Sequence, residues 1–477
     1  MSGYLFVSHH ALHVPCIEKV KTPMELFAMR VCFWGIRGSV PTPGPTTMRY
    51  GGNTSCVEVR AADGTLIILD CGTGAIPLGR ALLAASSGPL DGSLLIGHTH
   101  WDHIQGFPFF APLFVPGNCW EIYGPGGLGR QIERGLTGQM AYEHFPLSLE
   151  ELNAQVQFHH LTEGVFEIGS IRVTTQYLNH PVFTLGYRLE ADGATLVYAT
   201  DCEPYSLHPL EAPPGTMPLH HGDQQHIRFL EGADLIIHDA QYTLDEFPAK
   251  TGWGHMPIER VVDYALLAQA QRLALFHHDP TRDDEAVDRL YECAQARAAV
   301  NRNGLQVIAA TEGLVIELPN GPMCSRPVPT SDTSALLPQM PNGASTVLIA
   351  DADPAALHLL ETALRAEGLH VLTAADGEVA LRFACQEHPA VILLDMSLPK
   401  LDGLAVCRTL RADSMPHLAD VPIVMLAGVK LHETDLVEAF AAGATDYLTK
   451  PTKPALIRSR VRAWLLRTAA CNALYRP

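Results

Sequence analysis

Between His98 and His103 the chain places three imidazoles and one carboxylate in six residues: His98-Thr99-His100-Trp101-Asp102-His103. The preceding Ser93-Leu94-Leu95-Ile96 is an apolar run that reads as a buried strand. Imidazole nitrogen and carboxylate oxygen are the donors that hold Zn²⁺ and its neighbours, and a buried strand that stops in such donors presents a metal site. The plain alternative is a chance polar cluster at a loop. Four more segments weigh against it, since apolar runs also stop at His180, at Asp201, at His238-Asp239 and at His277-His278. One histidine after a strand is more often a satisfied side chain than a ligand. Five such endings in one stretch of chain make a constellation.

The elements that must carry these residues read as strands ending in turns. Met29–Gly35, Cys56–Arg60 and Thr65–Leu69 alternate or run apolar, and Ala75–Ala85 reads as a helix. Ile168–Thr175 reads as one strand, Gly186–Leu189 and Thr195–Ala199 as a hairpin about Asp192-Gly193. Pro257 opens a helix whose Ile258, Val261, Val262 and Ala265 share a face, and Leu314–Leu318 closes the unit. Residues 319–344 hold six prolines among Ser, Thr, Gly and Asn, with no period, and form a linker. Beyond it five strand–helix units alternate, from Val347–Ala350 to Leu456–Leu466, as in a doubly wound parallel sheet.

At 477 residues and 47% apolar content the chain has room for two or three domains with real cores. Its net charge of −18 argues against a broad nucleic-acid or anionic-membrane surface. Eleven scattered cysteines without a Cys-x-x-Cys pair suit a reducing cytoplasm, and no apolar run is long enough for a membrane span. Residues 1–28 lack the organisation of a signal peptide and read as an N-terminal extension.

With these pieces in place, residues 29–318 resemble the ribonuclease Z and phosphodiesterase branch of the metallo-β-lactamase superfamily. The likeness is carried by Asp70-Cys71-Gly72, His98–His103, His180, Asp201, Gly252–His255 and Leu275-Phe276-His277. It implies a four-layer αββα sandwich and two divalent metal ions, with Zn²⁺ expected first and Mn²⁺ or Fe as alternatives. By the same likeness His98, His100 and His180 would hold one ion, and Asp102, His103 and His277 the other, with Asp201 bridging. His278 competes with His277 for the last place. Asp102 would also orient or deprotonate the nucleophile, and His255 would contact the scissile phosphate and protonate the leaving oxygen. Glu203 and Asp239 are candidates to accept hydrogen bonds from ligand imidazoles, whereas His9/His10, His159/His160 and His220/His221 read as solvated.

The ribonuclease Z enzymes carry a long arm between the fourth histidine and the bridging aspartate. Here His180 and Asp201 are 21 residues apart with a plain hairpin between them. That argues against tRNA and for a small or cyclic phosphodiester or other nucleotide-derived substrate. Two readings stand beside it: a sensor with a non-catalytic metal site, and a metallohydrolase of thioesters or lactones.

Residues 345–470 resemble the receiver domain of two-component response regulators, a (βα)5 fold, and 471–477 form a tail. Leu393-Leu394-Asp395-Met396-Ser397-Leu398-Pro399, Asp402-Gly403 and Tyr447-Leu448-Thr449-Lys450-Pro451 carry the likeness. It implies Asp395 as phosphoacceptor, Lys450 as phosphate-binding cation, Asp351 in the acid pocket, and a histidine kinase as partner. A homodimer is a further expectation. Two departures weigh on it. Ala352 stands where a second adjacent acid would ligate Mg²⁺, with Asp353 one place later, and Ala427-Gly428 replaces the hydroxyl residue after the fourth strand. A phosphate-independent pseudo-receiver is therefore an equal expectation.

Overall fold

The computed structural model describes residues 27–126, 131–205, 217–218, 220–300, 304–319, 345–412, 418, 421–428, 438–450, 454, 457–458, 460–462 and 464–465. His9 and His10, the linker 320–344 and the tail 471–477 lie outside them. The N-terminal unit opens with β1 (Phe27–Gly35), β2 (Cys56–Ala61), β3 (Leu66–Leu69), helix α1 (Ala75–Ala85) and β4 (Asp91–Leu95). The short α2 (Trp101–Ile104) follows, then β5 (Cys119–Pro125), α3 (Gln131–Gln139) and β6 (Gln155–Leu161). Next come β7 (Gly164–Ile168), β8 (Ile171–Tyr177), β9 (Leu185–Ala191), β10 (Ala194–Ala199) and α4 (His221–Leu230). The unit ends with β11 (Leu235–Asp239), α5 (Phe247–Lys250), α6 (Ile258–Leu267), β12 (Arg272–Phe276), α7 (Asp284–Val300), β13 (Gln306–Ala309) and β14 (Val315–Pro319).

These strands make two seven-stranded sheets, β14-β1-β2-β3-β4-β5-β6 and β13-β12-β11-β10-β9-β8-β7. Strand alternation fixes what lies between them. Val31, Val57, Ile67 and Leu95 from one sheet meet Val173, Leu189, Leu196 and Ile237 from the other in a single apolar core. The opposite faces bury separate cores under helices: Leu78 and Leu82 of α1 on the first sheet, Val262 and Leu266 of α6 on the second. The order helix, sheet, sheet, helix is the four-layer αββα sandwich.

Two readings change. The strand expected at Ile168–Thr175 starts later, as β8, because Gly169 takes φ 54° and turns the chain there, and Ile168 ends a partner strand, β7, that the sequence did not announce. The N-terminal unit also begins before Met29, since Phe27 already pairs with Pro319.

The C-terminal unit has five strands, β15 (Thr346–Ala350), β16 (His370–Ala374), β17 (Val391–Asp395), β18 (Ile423–Ala427) and β19 (Asp446–Thr449). All neighbouring pairs are parallel, in the order β16-β15-β17-β18-β19. Helices α8 (Pro354–Arg365), α9 (Gly377–Glu387) and α10 (Gly403–Leu410) connect them, and an apolar cluster lies on each face of the sheet.

Candidate metal centre and its neighbours

The carboxyl ends of β4, β10 and β12 converge at one edge of the sandwich. His98, His100, His180 and Asp201 bring one ligand atom each within 4.8 Å of one another, and Asp102, His103 and His277 do the same. Asp201 joins the two sets. Its Oδ2 lies 3.5 Å from His98 Nε2 and 3.5 Å from His180 Nε2, while its Oδ1 lies 3.4 Å from His103 Nε2 and 3.1 Å from His277 Nε2. Asp102 Oδ2 sits 3.2 Å from His103 Nε2 and 2.9 Å from His277 Nε2. Asp201 and His277 hold φ of 62° and 56°, which is strained backbone for residues with a Cβ and is characteristic of functional sites.

Electrostatics suit cations here. Burial holds the His98 and His180 imidazoles below their ordinary range, His180 down to about 3, so both rings are neutral and have lone pairs to give. Both ring nitrogens of His98 are buried without a hydrogen-bond partner, a costly state that a bound cation relieves at one of them. Burial would lower His103 as well, but Asp102, Asp70 and Asp201 outweigh it and raise its pKa. Burial would raise Asp201, and the surrounding imidazoles, His277 and His103 foremost, instead hold its carboxyl well below the usual range. These donors fit divalent metal ions.

His278 is turned away. Its Nε2 lies 3.3 Å from the Ala310 carbonyl, its ring meets Tyr50 edge-on, and burial lowers its pKa to about 3. Asp239 and Glu203 do not reach a ligand imidazole as expected. Asp239 lies 3.5 Å from His255 Nδ1 and accepts the Met256 N–H at 2.9 Å. Glu203 accepts the N–H groups of Gly252 and Gly254 at 2.8 Å, and the Gly254 carbonyl in turn sits 3.0 Å from His180 Nδ1. Gly254 has φ 88°, and a Cβ there would stand 2.1 Å from His180 Nδ1, so no other residue fits.

The residues that orient the imidazoles are those to which the sequence assigned no role. Asp70 Oδ2 lies 2.6 Å from His103 Nδ1 and accepts the Tyr198 hydroxyl at 2.6 Å, and Asp70 Oδ1 accepts the Gly97 N–H at 2.7 Å. The Gln241 amide lies 3.0 Å from His277 Nδ1, and the Ser39 N–H donates to Asp102 Oδ2 at 2.7 Å. Occupying Nδ1 leaves Nε2 to face the centre. Only Asp70 left a trace in the sequence, as an acid ending the apolar run Leu66–Leu69.

Residues 65–278 match the family model "Beta-lactamase superfamily domain", and residues 347–462 match "Response regulator receiver domain". The chain joins a beta-lactamase superfamily domain to a receiver domain. Over 122 residues it is 43% identical to the probable transcriptional regulator ycf27 of Guillardia theta, covering 26% of this chain and 46% of that protein. The chain thus spans about half the length of the curated relatives it matches. Its fold is similar to that of the metallo-β-lactamase-fold protein YhfI from Bacillus subtilis, at 21% identity and TM-score 0.44, covering 61% of this chain and 99% of that one. The short form of human tRNase Z is similar at 20% identity and TM-score 0.41, with the same two coverages. No helix among the described residues is long and apolar enough to cross a membrane.

In the receiver, Lys450 Nζ lies 2.6 Å from Asp351 Oδ2 and 2.9 Å from Asp395 Oδ2, so the three expected residues meet at one sheet edge. Asp353 is committed elsewhere: it caps α8, accepting the Ala355 N–H at 2.9 Å.

The receiver also touches the beta-lactamase domain. His220, expected to be solvated, is buried: its Nδ1 accepts the Gly222 N–H as the cap of α4, so its Nε2 carries the proton and donates to Asp446 Oδ1 at 2.6 Å. Arg460 and Trp464 bond the other Asp446 oxygen at 3.2 and 3.1 Å, and the Arg460 guanidinium lies 4.0 Å over the Tyr205 ring. His159, also expected to be solvated, is half-buried in β6 and bonded to Glu121.

Proposed function

We propose that residues 29–318 form a binuclear metal-dependent phosphodiesterase for small or cyclic phosphodiesters, coupled to a receiver spanning 345–470. The observation that carries this reading is Asp201, one of whose oxygens faces His98 and His180 while the other faces His103 and His277. In this reading His98, His100 and His180 would hold one ion and Asp102, His103 and His277 the other, with Asp201 serving both. Bound there, the ions supply Lewis acidity to a water and to the phosphoryl oxygens.

The chain's own residues do the rest. Asp70, Gln241 and the Gly254 carbonyl fix the ring orientations of His103, His277 and His180. Asp102, already held by the Ser39 N–H, orients the attacking water. His255 lines the same cleft, its ring centroid 5.1 Å from that of His277, and Asp201 and Asp239 overcome burial to raise its pKa. From that place it can hand a proton to the departing oxygen. A histidine kinase and a second copy of the chain are the partners the receiver would bring, should Asp395 be phosphorylated.

The deciding experiment is turnover of an aryl phosphodiester, a thioester and a lactone by the full chain loaded with Zn²⁺ or Mn²⁺. Only the phosphodiester is expected to be cleaved, with loss on chelation. Turnover confined to the thioester or lactone would replace this reading, and tight metal binding without any turnover would favour the sensor. Asp70→Asn is expected to weaken metal binding roughly ten- to a hundredfold, read by competition with a chromophoric chelator. Unchanged affinity would mean that His103 needs no orienting partner.

A further inference from the structure

The centre opens into a cleft of about 510 Å³, and two tryptophans line it, Trp101 and Trp253. They are 76% and 53% exposed, while Trp120 is 1% exposed and Trp34 and Trp464 are partly covered. The two exposed indoles come from different halves of the sandwich, and both line the cleft where the proposed chemistry occurs. Large apolar side chains left open at a polar cleft mark a binding surface.

Neither ring is exposed by looseness. Trp101 opens α2 between His100 and Asp102, so its backbone is fixed by the residues that converge on the centre. Trp253 stands between Gly252 and Gly254, whose N–H groups are both held by the buried Glu203 carboxylate. Lys250 Nζ lies 4.2 Å over the Trp253 ring and braces it further. Rings carried on ordered backbone lose less freedom on binding than rings on loose loops.

What lines the cleft also says what it would not favour. Among the described residues no lysine or arginine lines it. Lys250 stands beside the cleft, over the Trp253 ring, and the lining itself offers a planar ring two indoles.

Resting on the phosphodiesterase reading, we infer that Trp101 and Trp253 form a stacking clamp for a nucleobase, so that the diester taken by this site is nucleotide-derived. Base–aromatic stacking tolerates any base, since each has a π-face, so the clamp selects the class and leaves base identity open. Discrimination should appear mainly in KM, because stacking far from the phosphorus is shared by ground and transition states.

The test compares two esters with the same leaving group, thymidine monophosphate para-nitrophenyl ester and methyl para-nitrophenyl phosphate, on the metal-loaded full chain. The wild type is expected to prefer the thymidine ester. Trp101→Ala and Trp253→Ala are each expected to cut that preference roughly tenfold through KM, with metal content retained and Trp→Phe variants keeping most of it. No change in preference, or an equal loss on both esters, would overturn the clamp while leaving the phosphodiesterase standing. Should the wild type cleave neither ester, that reading falls, and the clamp is judged by binding alone. Thymidine monophosphate should then quench tryptophan fluorescence of the Zn²⁺-loaded chain, and the Trp101→Ala/Trp253→Ala double variant should lose the quenching. Absence of quenching in the wild type would end the proposal.

Discussion

Asp201→Ala is expected to lower phosphodiester turnover by well over a hundredfold and to reduce the metal bound per chain. Removing even the outer partners of metal ligands costs roughly ten- to a hundredfold, and among the described residues Asp201 is the carboxylate that faces both histidine sets. Its loss would leave the imidazoles of both sets without their shared counter-charge. Asp201→Asn separates charge from backbone, because asparagine tolerates the 62° φ that alanine does not. Turnover and metal content, the latter by elemental mass spectrometry, should fall in both variants. Undiminished turnover in either one would remove Asp201 from the centre.

The second large effect is expected from His255→Ala, a loss of roughly 10²- to 10⁴-fold on diesters whose leaving alkoxide needs a proton. Aryl leaving groups depart without one, so the loss should shrink with a nitrophenyl ester. The pH profile carries the sign. Burial would depress the His255 pKa, but Asp201 and Asp239 outweigh it and raise it above the ordinary 6.5. The proton-bearing form lies below that raised value, so activity should fall as pH rises through it. Cations bound at Asp201 would cancel much of that residue's pull, leaving Asp239, 3.5 Å away, as the principal support. Asp239→Asn should accordingly move the falling limb to lower pH. Equal losses for alkyl and aryl esters, with no displaced limb, would make His255 structural.

How much of this was legible followed from distance along the chain. His98–His103 declares itself because four donors sit in six residues. His180, Asp201 and His277 could be read because each ends an apolar run, and parallel strands bring such ends to one edge. The orienting partners could not be read so directly. Gln241 and Ser39 are ordinary polar residues until the second sheet folds over the first, and the Gly254 carbonyl belongs to no side chain. His220 is the clearest miss, since its burial depends on Asp446, 226 residues later in another domain. In the fold, β6 was overlooked because its alternation runs through polar Gln and His, and α7 because its apolar face is narrow.

Asp446 opens β19, and Lys450 directly follows its last residue. One short, buried strand therefore carries the clasp on His220 at its start and the lysine of the acid pocket at its end, roughly 13 Å apart at strand rise. The strand is thus a short, continuous path between the two contacts. Binding free energies, moreover, are linked in both directions. Any coupling between the two contacts is therefore reciprocal: if displacing Lys450 from Asp351 and Asp395 loosens the clasp beside Tyr205, tightening that clasp favours the intact acid pocket to the same degree.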